Sequence, residues 1–476
     1  MIKQLFSLYS PRYPKVLVYM LQATEYKMRP YIAWVHRTQN FFDVSERRQL
    51  ELTRSARLLL IAVYFGIVLQ LAIGLLIIYL GIWQHLSGGV VFGVAVLISY
   101  PLLWPYLLLV PLLFGRALVD IPADAQAGHH TRAVLDNHQG IKIAVAGSYG
   151  KTSMKELLLT VLSEGFSVAA TPANKNVTRS HAKFAKTLTG NEDILIIEYG
   201  EGAPGDVMRF AQLTTPTHAV ITGLAPAHLD QYKTLAAAGK DIFSVASYLK
   251  GKHVYVHNDE NTKSYLKKNY EVFDEQGALG WRVSDVSVSL KDTRFCLTKD
   301  KTTLKLRSGL IGEHQVAYLA FVAAFGLELG MSEEKVKLGM AKTVPFEHRM
   351  QPYRLHGAWI IDDTYNGNLE GIRAGTRLLK TLPARRKLYV TPGLVDQGEE
   401  VEKVHKAIGQ LIAKAKPDMV ILMQNSVTHY IQEGMQGYKG EVIIEPKPLE
   451  FYTNLVHFVA EGDLVLMQND WPDNYY

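Results

Sequence analysis

Two long apolar runs lie near the N-terminus of this chain, and shorter apolar runs alternate with amphipathic stretches over the rest. The long runs, Leu58 to Trp83 and Val90 to Phe114, contain no charged residue. An α-helix rises about 1.5 Å per residue, so about 20 apolar residues cross the hydrocarbon layer of a bilayer. Because both runs exceed that length, the pattern predicts two transmembrane helices joined as a hairpin by the short loop QHLSGG.

The residues around the two runs predict their orientation. Arg54 and Arg57 precede the first run and Arg116 follows the second, whereas the connecting loop has neither Lys nor Arg. The positive-inside rule therefore places both ends of the hairpin in the cytoplasm. Pro101 and Pro105 predict a kink in the second helix. The preceding segment mixes apolar, aromatic and basic residues, which is as typical of an amphipathic stretch on the membrane surface as of an ordinary helical extension.

From Ile141 onward, strand-like apolar runs such as IKIAVAGS, DILIIEYG and HAVITGL alternate with helix-like stretches. This alternation predicts a parallel sheet with helices on both faces. A second alternating block begins near Trp359 with AWIIDDTY, RKLYVTPG and DMVILMQ. Ligands of such sheets bind beyond the carboxyl ends of the strands, so the chemistry is expected there.

The segment AGSYGKTSMKE follows the first of these strands and has the composition of a phosphate-binding loop. Glycines at 147 and 150 allow a tight turn that points backbone N–H groups at an anion, and the following helix adds its N-terminal partial charge. The usual phosphate loop, G-x-x-x-x-G-K-[ST], would have glycine at Val145, so this is a shorter G-x-x-G-K-[ST] variant. The residues expected to bind the phosphates of ATP are Gly147, Ser148, Tyr149, Gly150, Lys151, Thr152 and Ser153.

The fold class predicted from these patterns is α/β: a membrane helical hairpin, a P-loop-like parallel-sheet ATPase domain and a Rossmann-like C-terminal domain. The predicted division is a cytoplasmic N-terminal segment, two transmembrane helices, a linker, a central ATP-binding domain and a C-terminal domain. The corresponding ranges are 1–56, 57–115, 116–140, 141–343 and 344–476.

Composition excludes several classes of protein. Hydrophobic residues make up 48% of the 476 residues and charged residues 20%, which argues against extended disorder. The net charge of +6 is mild and no aromatic residues interleave with a basic block, so no nucleic-acid partner is expected. Cys296 is the single cysteine, which excludes an intrachain disulfide framework and a cysteine-based zinc site.

Further motifs follow the phosphate loop in a fixed order: TPANKN, IIEYG, APAHLD, IGEH, HRM, IIDDTYNGN and HKAIG. Together they resemble the Mur ligase superfamily, and most closely its MurF-type branch, over about residues 142–470. The resemblance implies an ATP-dependent ligase that phosphorylates a carboxylate to an acyl phosphate, which an amine then attacks. The family's N-terminal domain, which binds the UDP-sugar, has no counterpart in the resemblance. The predicted membrane hairpin occupies its position in the sequence.

The resemblance also implies roles for individual residues. Lys151 would neutralise phosphate charge, and Mg²⁺ would be held by Thr152, Glu198 and His228. Asn174 matches the asparagine near the γ-phosphate. Lys240 has two interpretations. It corresponds to the carbamoylated lysine of the family that bridges a second Mg²⁺, or it is an ordinary solvated lysine on a helix.

The remaining matches concern the nucleotide and the C-terminal domain. Arg349 in HRM resembles an interdomain arginine that meets the phosphates, and Asp363 resembles the aspartate at the ribose or the domain linker, with Asn366 beside it. The adenine-contacting segment of the family, H-N-x-x-N, reads HQVAY here. Gln315 would replace an asparagine amide and Tyr318 would stack on the base.

The leading hypothesis is therefore an acid–amino-acid ligase of peptidoglycan precursor synthesis at the cytoplasmic face of the inner membrane, with ATP and Mg²⁺ as cofactors. Its expected partners are an amino acid or dipeptide donor, a carboxylate acceptor that is either soluble or lipid-linked, and membrane lipid. Two alternatives stay open: a poly-γ-glutamate-type synthase of the same mechanism, and a catalytically inactive nucleotide-binding membrane scaffold.

Overall fold

The computed structural model describes residues 9–24, 26–38, 50–172, 178–226, 229–365, 367–394, 397 and 400–469. The chain forms two compact units, residues 1–126 and 127–476. The first unit is helical, and its helices are α1 Tyr13–Ala23, α2 Met28–Arg37, α3 Arg54–Trp83, α4 Ser87–Ile98, α5 Tyr100–Leu107 and α6 Leu109–Gly115. A π-helical turn, Arg116–Asp120, leads into α7, Ile121–Asn137.

Helices α3 and α4 form the predicted hairpin and approach each other through glycines. A Cβ atom added to Gly93 would lie 2.9 Å from the carbonyl oxygen of Gly74, and one added to Gly81 would lie 2.8 Å from the amide nitrogen of Val90. Such close backbone approach maximises packing between apolar helices. Two helical segments, Arg54–Trp83 and Tyr100–Asn137, are long and apolar enough to cross a membrane by length and composition alone.

The second apolar run is broken at Ser99, just before Pro101, as the proline content predicts. Gln70 of α3 satisfies the polar groups at this break. Its Nε2 donates to the carbonyl oxygen of Val96 at 2.9 Å and to Oγ of Ser99 at 3.1 Å. Its Oε1 accepts from Nε1 of Trp104 at 2.9 Å. The break is therefore hydrogen-bonded within the helical unit, as an apolar environment requires.

The N-terminal segment packs against the hairpin rather than standing alone as an amphipathic helix. Eight of the 11 residues of α1 are buried, and the hydroxyl of Tyr13 donates to the carbonyl oxygen of Pro101 at 2.6 Å. Its apolar side chains join those of the first half of α3 in one core, which includes Leu17, Val63 and Leu109. The described part of this segment is therefore packed within the helical unit, and its contact with a membrane surface stays a prediction.

The second unit begins with a ten-stranded sheet. In spatial order the strands run β10-β9-β8-β7-β6-β5-β4-β1-β3-β2, with β1 to β6 parallel and β7 to β10 antiparallel. The strands are β1 Ile141–Ala146, β2 Val168–Ala170, β3 Ile194–Glu198, β4 His218–Ile221, β5 Val254–His257, β6 Glu271–Asp274, β7 Gly277–Ala278, β8 Trp281–Val288, β9 Thr293–Lys299 and β10 Thr302–Ser308.

Helices cover both faces of this sheet. One apolar core lies under the buried helix of residues 316–328, and the other lies on the opposite face around Phe210 and Ile242. The helices are α8 Lys151–Leu162, α9 Thr178–Ala185, α10 Asp206–Thr214, α11 Leu229–Tyr232, α12 Leu235–Ile242, α13 Ser244–Tyr248, α14 Val316–Glu328 and α15 Glu333–Lys342. Two 3₁₀ turns, Lys263–Tyr265 and Glu313–Gln315, lie between them.

A second sheet of six strands follows, in the order β11-β12-β16-β13-β14-β15, and only β11 is antiparallel to its neighbour. Its strands are β11 Gln351–Leu355, β12 Ala358–Asp363, β13 Arg386–Thr391, β14 Met419–Met423, β15 Glu441–Glu445 and β16 Asp463–Gln468. Its helices are α16 Leu369–Thr381, α17 Val401–Ala415, α18 Thr428–Gly434 and α19 Pro448–Phe458.

The segment 116–140, predicted as a linker, is largely helical. The last part of α7, from Ala127 onward, belongs to the second unit, where Leu135 is fully buried. The buried ammonium of Lys142 donates to the carbonyl oxygen of Leu135 at 2.6 Å and to Oγ1 of Thr215 at 3.2 Å. This cation at the C-terminal end of the helix neutralises its partial negative charge and ties it to β1.

Candidate functional site

The phosphate loop turns between β1 and α8, and two of its positions require glycine. Gly147 has φ of 145° and Gly150 has φ of 75°, a region that other residues rarely adopt. A Cβ atom at Gly147 would collide with Oγ1 of Thr222, and one at Gly150 would collide with the hydroxyl of Tyr318. The loop therefore lies close against the sheet, and its helix begins at Lys151, as the sequence predicts.

Two of the predicted metal ligands come together behind the loop. The hydroxyl of Thr152 donates to Oε1 of Glu198 at 3.1 Å, and Glu198 is the last residue of β3, with only 2% of its surface exposed. Hydroxyl and carboxylate oxygens are the ligands that Mg²⁺ prefers. His228, the third predicted ligand, lies outside the described residues, as do Asn174 and Asn366. No group of three His, Cys, Asp or Glu side chains within the described ranges is arranged to hold a metal ion.

Lys155 is a second lysine at this site, and the sequence reasoning missed it. It is fully buried on α8, and its Nζ lies 3.3 Å from Oε2 of Glu198. The spacing of four residues from Lys151 puts both lysines on the same side of α8. That spacing was the available signal, although a lysine in KTSMKE reads equally as a solvated side chain. Glu198 is thus held by a hydroxyl on one oxygen and an ammonium on the other.

Lys151 is bound to a second carboxylate that the sequence reasoning also missed. Its Nζ donates to the carbonyl oxygen of Gly147 at 2.6 Å and to Oε1 of Glu201 at 2.7 Å. Glu201 is buried, with 7% of its surface exposed. The two carboxylates after β3 therefore have different partners, Glu198 with Thr152 and Lys155, and Glu201 with Lys151.

The rest of the loop is fixed by neighbouring strands. The backbone N–H of Ser148 donates to the carbonyl oxygen of Gly223 at 2.9 Å. The hydroxyl of Tyr149 donates to Oδ2 of Asp259 at 2.8 Å, and that oxygen also accepts from the backbone N–H of Leu224 at 2.8 Å. Ser153 lies buried in α8. Asp259 thus joins the phosphate loop to the segment that leads toward His228, a role that no sequence motif indicated.

Lys240 lies on the exposed side of α12. Its neighbour Asp241 is the buried residue there, accepting from the backbone N–H of Gly205 at 2.9 Å and from the hydroxyl of Tyr232 at 2.7 Å. Within the described ranges, no hydrogen bond or ion pair joins Lys240 to Glu198. The metal-bridging role of Lys240 stays a prediction.

The adenine-side residues differ from expectation at one position. Tyr318 is buried beneath the phosphate loop, where its hydroxyl donates to the carbonyl oxygen of Thr222 at 2.7 Å. Its ring meets the ring of His257 edge to face at 5.3 Å. The expectation that Tyr318 stacks on a base is therefore wrong, because its ring is buried in the domain and packs against Gly150. Gln315 stays partly exposed, with Nε2 3.0 Å from Nε2 of His314.

In the C-terminal domain, Asp363 ends β12 and accepts two hydrogen bonds. Nε2 of Gln468 donates to its Oδ2 at 2.8 Å, and the backbone N–H of Met350 donates to its Oδ1 at 3.2 Å. Burial raises the pKa of Asp363 to about 7. The guanidinium of Arg349 lies over the ring of Tyr365, 4.5 Å from its centroid. The structure thus brings both predicted residues of this domain to the carboxyl end of β12.

These features define the class of protein. A glycine-bounded phosphate loop at the head of a parallel sheet, with a lysine, a hydroxyl and a carboxylate around it, is the apparatus of an enzyme that uses a nucleoside triphosphate. A second α/β domain follows the first in the same compact unit.

Comparison with known proteins specifies the family. The model of the Mur ligase middle domain matches residues 145–326, and that of the Mur ligase, glutamate ligase domain matches residues 348–468. Together they cover more than half of the chain, which belongs to the Mur ligase family. The predicted family and fold class are confirmed.

Its relatives include two enzymes named UDP-N-acetylmuramoyl-tripeptide–D-alanyl-D-alanine ligase. The one from Mycobacterium leprae is 28% identical over 362 residues, which cover 68% of this chain and 70% of the relative. The one from Escherichia coli is 26% identical over 287 residues, 59% of this chain and 63% of the relative. The chain thus spans about two thirds of the length of these relatives.

Two solved structures share the fold. MurF from Acinetobacter baumannii superimposes with a TM-score of 0.65 at 19% identity, over 73% of this chain and 78% of that one. MurF ligase from Thermotoga maritima in complex with ADP has the same TM-score at 21% identity, over 74% and 81% of the two chains. The likeness confirms the fold.

Proposed function

We propose that this chain is an ATP-dependent ligase that forms an amide bond in peptidoglycan precursor synthesis. The observation that carries the proposal is the cluster at the phosphate loop, where Thr152 contacts Glu198 at the carboxyl end of β3 and Lys151 precedes Thr152 at the start of α8. The relatives are named for joining UDP-N-acetylmuramoyl-tripeptide and D-alanyl-D-alanine. We extend that substrate class to this chain as a peptide carboxylate acceptor and an amino acid or dipeptide donor.

The proposed reaction has two steps. A carboxylate oxygen of the acceptor attacks the γ-phosphorus of ATP, ADP leaves and an acyl phosphate forms. The donor amine then attacks the acyl carbon, loses a proton and expels inorganic phosphate. Lys151 stabilises charge on the β- and γ-phosphates, and the backbone N–H groups at the start of α8 hold them in place. Arg349 and Asp363 would meet the nucleotide from the C-terminal domain.

Thr152 and Glu198, together with His228, would hold Mg²⁺, which neutralises phosphate charge during transfer. The oxygen donors of Thr152 and Glu198 suit that ion. Oε1 of Glu198 accepts a hydrogen bond from Thr152 and its Oε2 forms an ion pair with Lys155, so the carboxylate is fixed in orientation before any ion binds. Asn174, Asn366 and Gln315 remain proposed nucleotide contacts.

We further propose that residues 57–115 anchor the chain in the cytoplasmic membrane. Two features support this. Helix α3 has 30 residues, of which six are buried. Large apolar side chains on it face outward, among them Phe65 at 67% and Trp83 at 71% exposure. A core helix of a soluble protein would bury such residues. Membrane attachment would raise the effective concentration of a lipid-linked acceptor.

The test uses the full chain in detergent, with ATP, candidate donors, and UDP-linked and lipid-linked acceptors. ADP release that depends on both substrates, with product identified by mass spectrometry, is expected. Hydroxylamine should trap the acyl phosphate as a hydroxamate. Lys151→Ala should abolish turnover, whereas Lys342→Ala, which removes an exposed lysine from an ion pair with Glu164, should not.

The alternatives give different outcomes in the same experiment. Turnover with glutamate as both donor and acceptor would indicate a poly-γ-glutamate-type synthase. Nucleotide binding without ADP release for any substrate pair would indicate an inactive scaffold. Residual ATP consumption that is unchanged in Lys151→Ala would contradict the proposed function.

A further inference from the structure

Two anions would compete for the ammonium of Lys151, namely the phosphates of ATP and the carboxylate of Glu201. The proposed function requires its ammonium to neutralise the phosphates of ATP, yet its Nζ already lies 2.7 Å from Oε1 of Glu201. Both side chains are secluded, with 12% of the lysine and 6% of the glutamate exposed. An ion pair so little exposed to water is screened far less than a surface pair.

Glu201 lies three residues beyond Glu198, in the segment EYGEG that begins at the last residue of β3. The contacts of the two carboxylates separate their roles. Glu198 faces Thr152 and Lys155, whereas Glu201 faces the phosphate-binding lysine. A buried carboxylate costs free energy unless a charge compensates it, and the ammonium of Lys151 supplies such compensation to Glu201. Any polyanion that takes the charge of Lys151 therefore leaves Glu201 less well compensated and repels it.

We propose that Glu201 is an internal competitor of the nucleotide for Lys151, and that it lowers the affinity of the phosphate loop for nucleoside di- and triphosphates. This inference rests on the proposed function, because it assumes that the loop binds a nucleotide. Glu201 acts through Lys151 and is a positioning residue. Its charge, rather than its shape, sets the effect.

The test is the affinity of the full chain in detergent for ADP, measured by calorimetry with and without Mg²⁺. Glu201→Gln removes the charge and retains an oxygen that accepts from Lys151, so about tenfold tighter binding is expected in both arms. Glu201→Asp keeps the charge and should stay near the affinity of the unaltered chain. Glu164→Gln is the matched control, since it removes an equally short carboxylate–lysine contact, 2.6 Å to Lys342, beyond the other end of α8.

Several results would overturn the inference. Unchanged or weaker ADP binding by Glu201→Gln, with normal binding by the unaltered chain, contradicts competition. A loss confined to the arm with Mg²⁺ would make Glu201 a metal ligand instead. Equal tightening by Glu201→Asp and Glu201→Gln would assign the effect to shape. If the unaltered chain binds no ADP, the proposed function fails first and the inference fails with it. Thermal unfolding without nucleotide verifies that each variant is folded.

Discussion

Lys155 is fully buried on α8, and its ammonium lies 3.3 Å from Oε2 of the buried Glu198 and 3.3 Å from Oε1 of the more exposed Glu156. Breaking a buried ion pair by removing one partner typically costs about 3–5 kcal/mol, because the other charge is left in a low-dielectric site. We expect Lys155→Met to lower the free energy of unfolding of the second unit by about 3 kcal/mol. Calorimetric and denaturant unfolding of the full chain would measure the change.

The control for this prediction is an exposed pair in the same domain. Lys342 is 53% exposed and contacts Glu164, so Lys342→Met should cost less than about 1 kcal/mol. The double variant Lys155→Met/Glu198→Gln removes both charges and should recover part of the lost stability. Equal effects of Lys155→Met and Lys342→Met would contradict the prediction.

His405 predicts a pH dependence of stability in the C-terminal domain. It is buried on α17, its Nδ1 donates to the carbonyl oxygen of Val401 at 2.6 Å, and the backbone N–H of Leu394 donates to its Nε2 at 3.0 Å. Burial lowers the pKa of His405 below its ordinary value of about 6.5. The unfolded chain therefore binds this proton more readily than the folded one, and stability is lost as the pH falls below about 6.5.

His405→Gln cannot titrate, so we expect its unfolding free energy to depend less on pH between about 7.5 and 5 than that of the unaltered chain. Denaturant unfolding across this range measures both slopes. His429→Gln removes an exposed histidine of the same domain and should leave the slope unchanged. If the unfolding free energy of all three proteins depended on pH with the same slope, groups other than His405 would cause the loss of stability in acid.

At the scale of elements, the predictable strands are those buried on both faces. β1, β3 and β4 each contain at least three consecutive apolar residues, and the sequence predicts them because central parallel strands need apolar side chains on both sides. The antiparallel strands β8 to β10 escaped prediction. In β8, WRVSDVSV, half of the residues are polar and exposed, so no apolar run distinguishes it from a loop.

The candidate site divides in the same way. Lys151, Thr152 and Glu198 were predictable because a local motif or a strand end marks them. Lys155 and Glu201 were not, because a charged residue in a sequence is ordinarily solvated and only the tertiary fold buries these two. The base-stacking role predicted for Tyr318 failed for the same reason, since the burial of this residue under Gly150 depends on where α14 packs.

The close contact between α3 and α4 makes Gly93 a position where a larger side chain should destabilise the hairpin. A Cβ atom at Gly93 would lie 2.6 Å from Cγ1 of Ile78 and 2.9 Å from the carbonyl oxygen of Gly74, so a larger side chain must force α3 and α4 apart. We expect Gly93→Leu to destabilise the hairpin by about 1–3 kcal/mol, the usual cost of overpacking. Thermal unfolding of the full chain in detergent measures the loss.

Gly88 is the matched control for this element. It lies on the same helix, yet a Cβ atom there meets nothing within 4 Å. Gly88→Leu should therefore leave the unfolding temperature unchanged. A hairpin that tolerates leucine at both positions would contradict the close helix contact.

At the scale of the whole molecule, the proposed membrane anchor predicts an orientation, because the outward-facing apolar side chains are flanked by arginines. Arg54 and Arg57 precede α3, and the turn between α3 and α4 has no basic Lys or Arg. If lipid covers the apolar surface, the turn lies outside the cytoplasm and the start of α3 inside it. The phosphate loop would then face cytoplasmic ATP.

Cysteine labelling tests this orientation sharply because the chain has one native cysteine, which Cys296→Ser removes. Ser87 at the turn and Ser55 at the start of α3 are both exposed. In intact cells, a membrane-impermeant maleimide should label Ser87→Cys but not Ser55→Cys, and permeabilisation should make both reactive. Ser264→Cys places a cysteine at an exposed position of the second unit, and like Ser55→Cys it should be labelled only after permeabilisation. Protection of Ser87→Cys in intact cells together with labelling of Ser55→Cys would reverse the orientation. Release of the chain from membranes by alkaline carbonate would contradict the anchor itself.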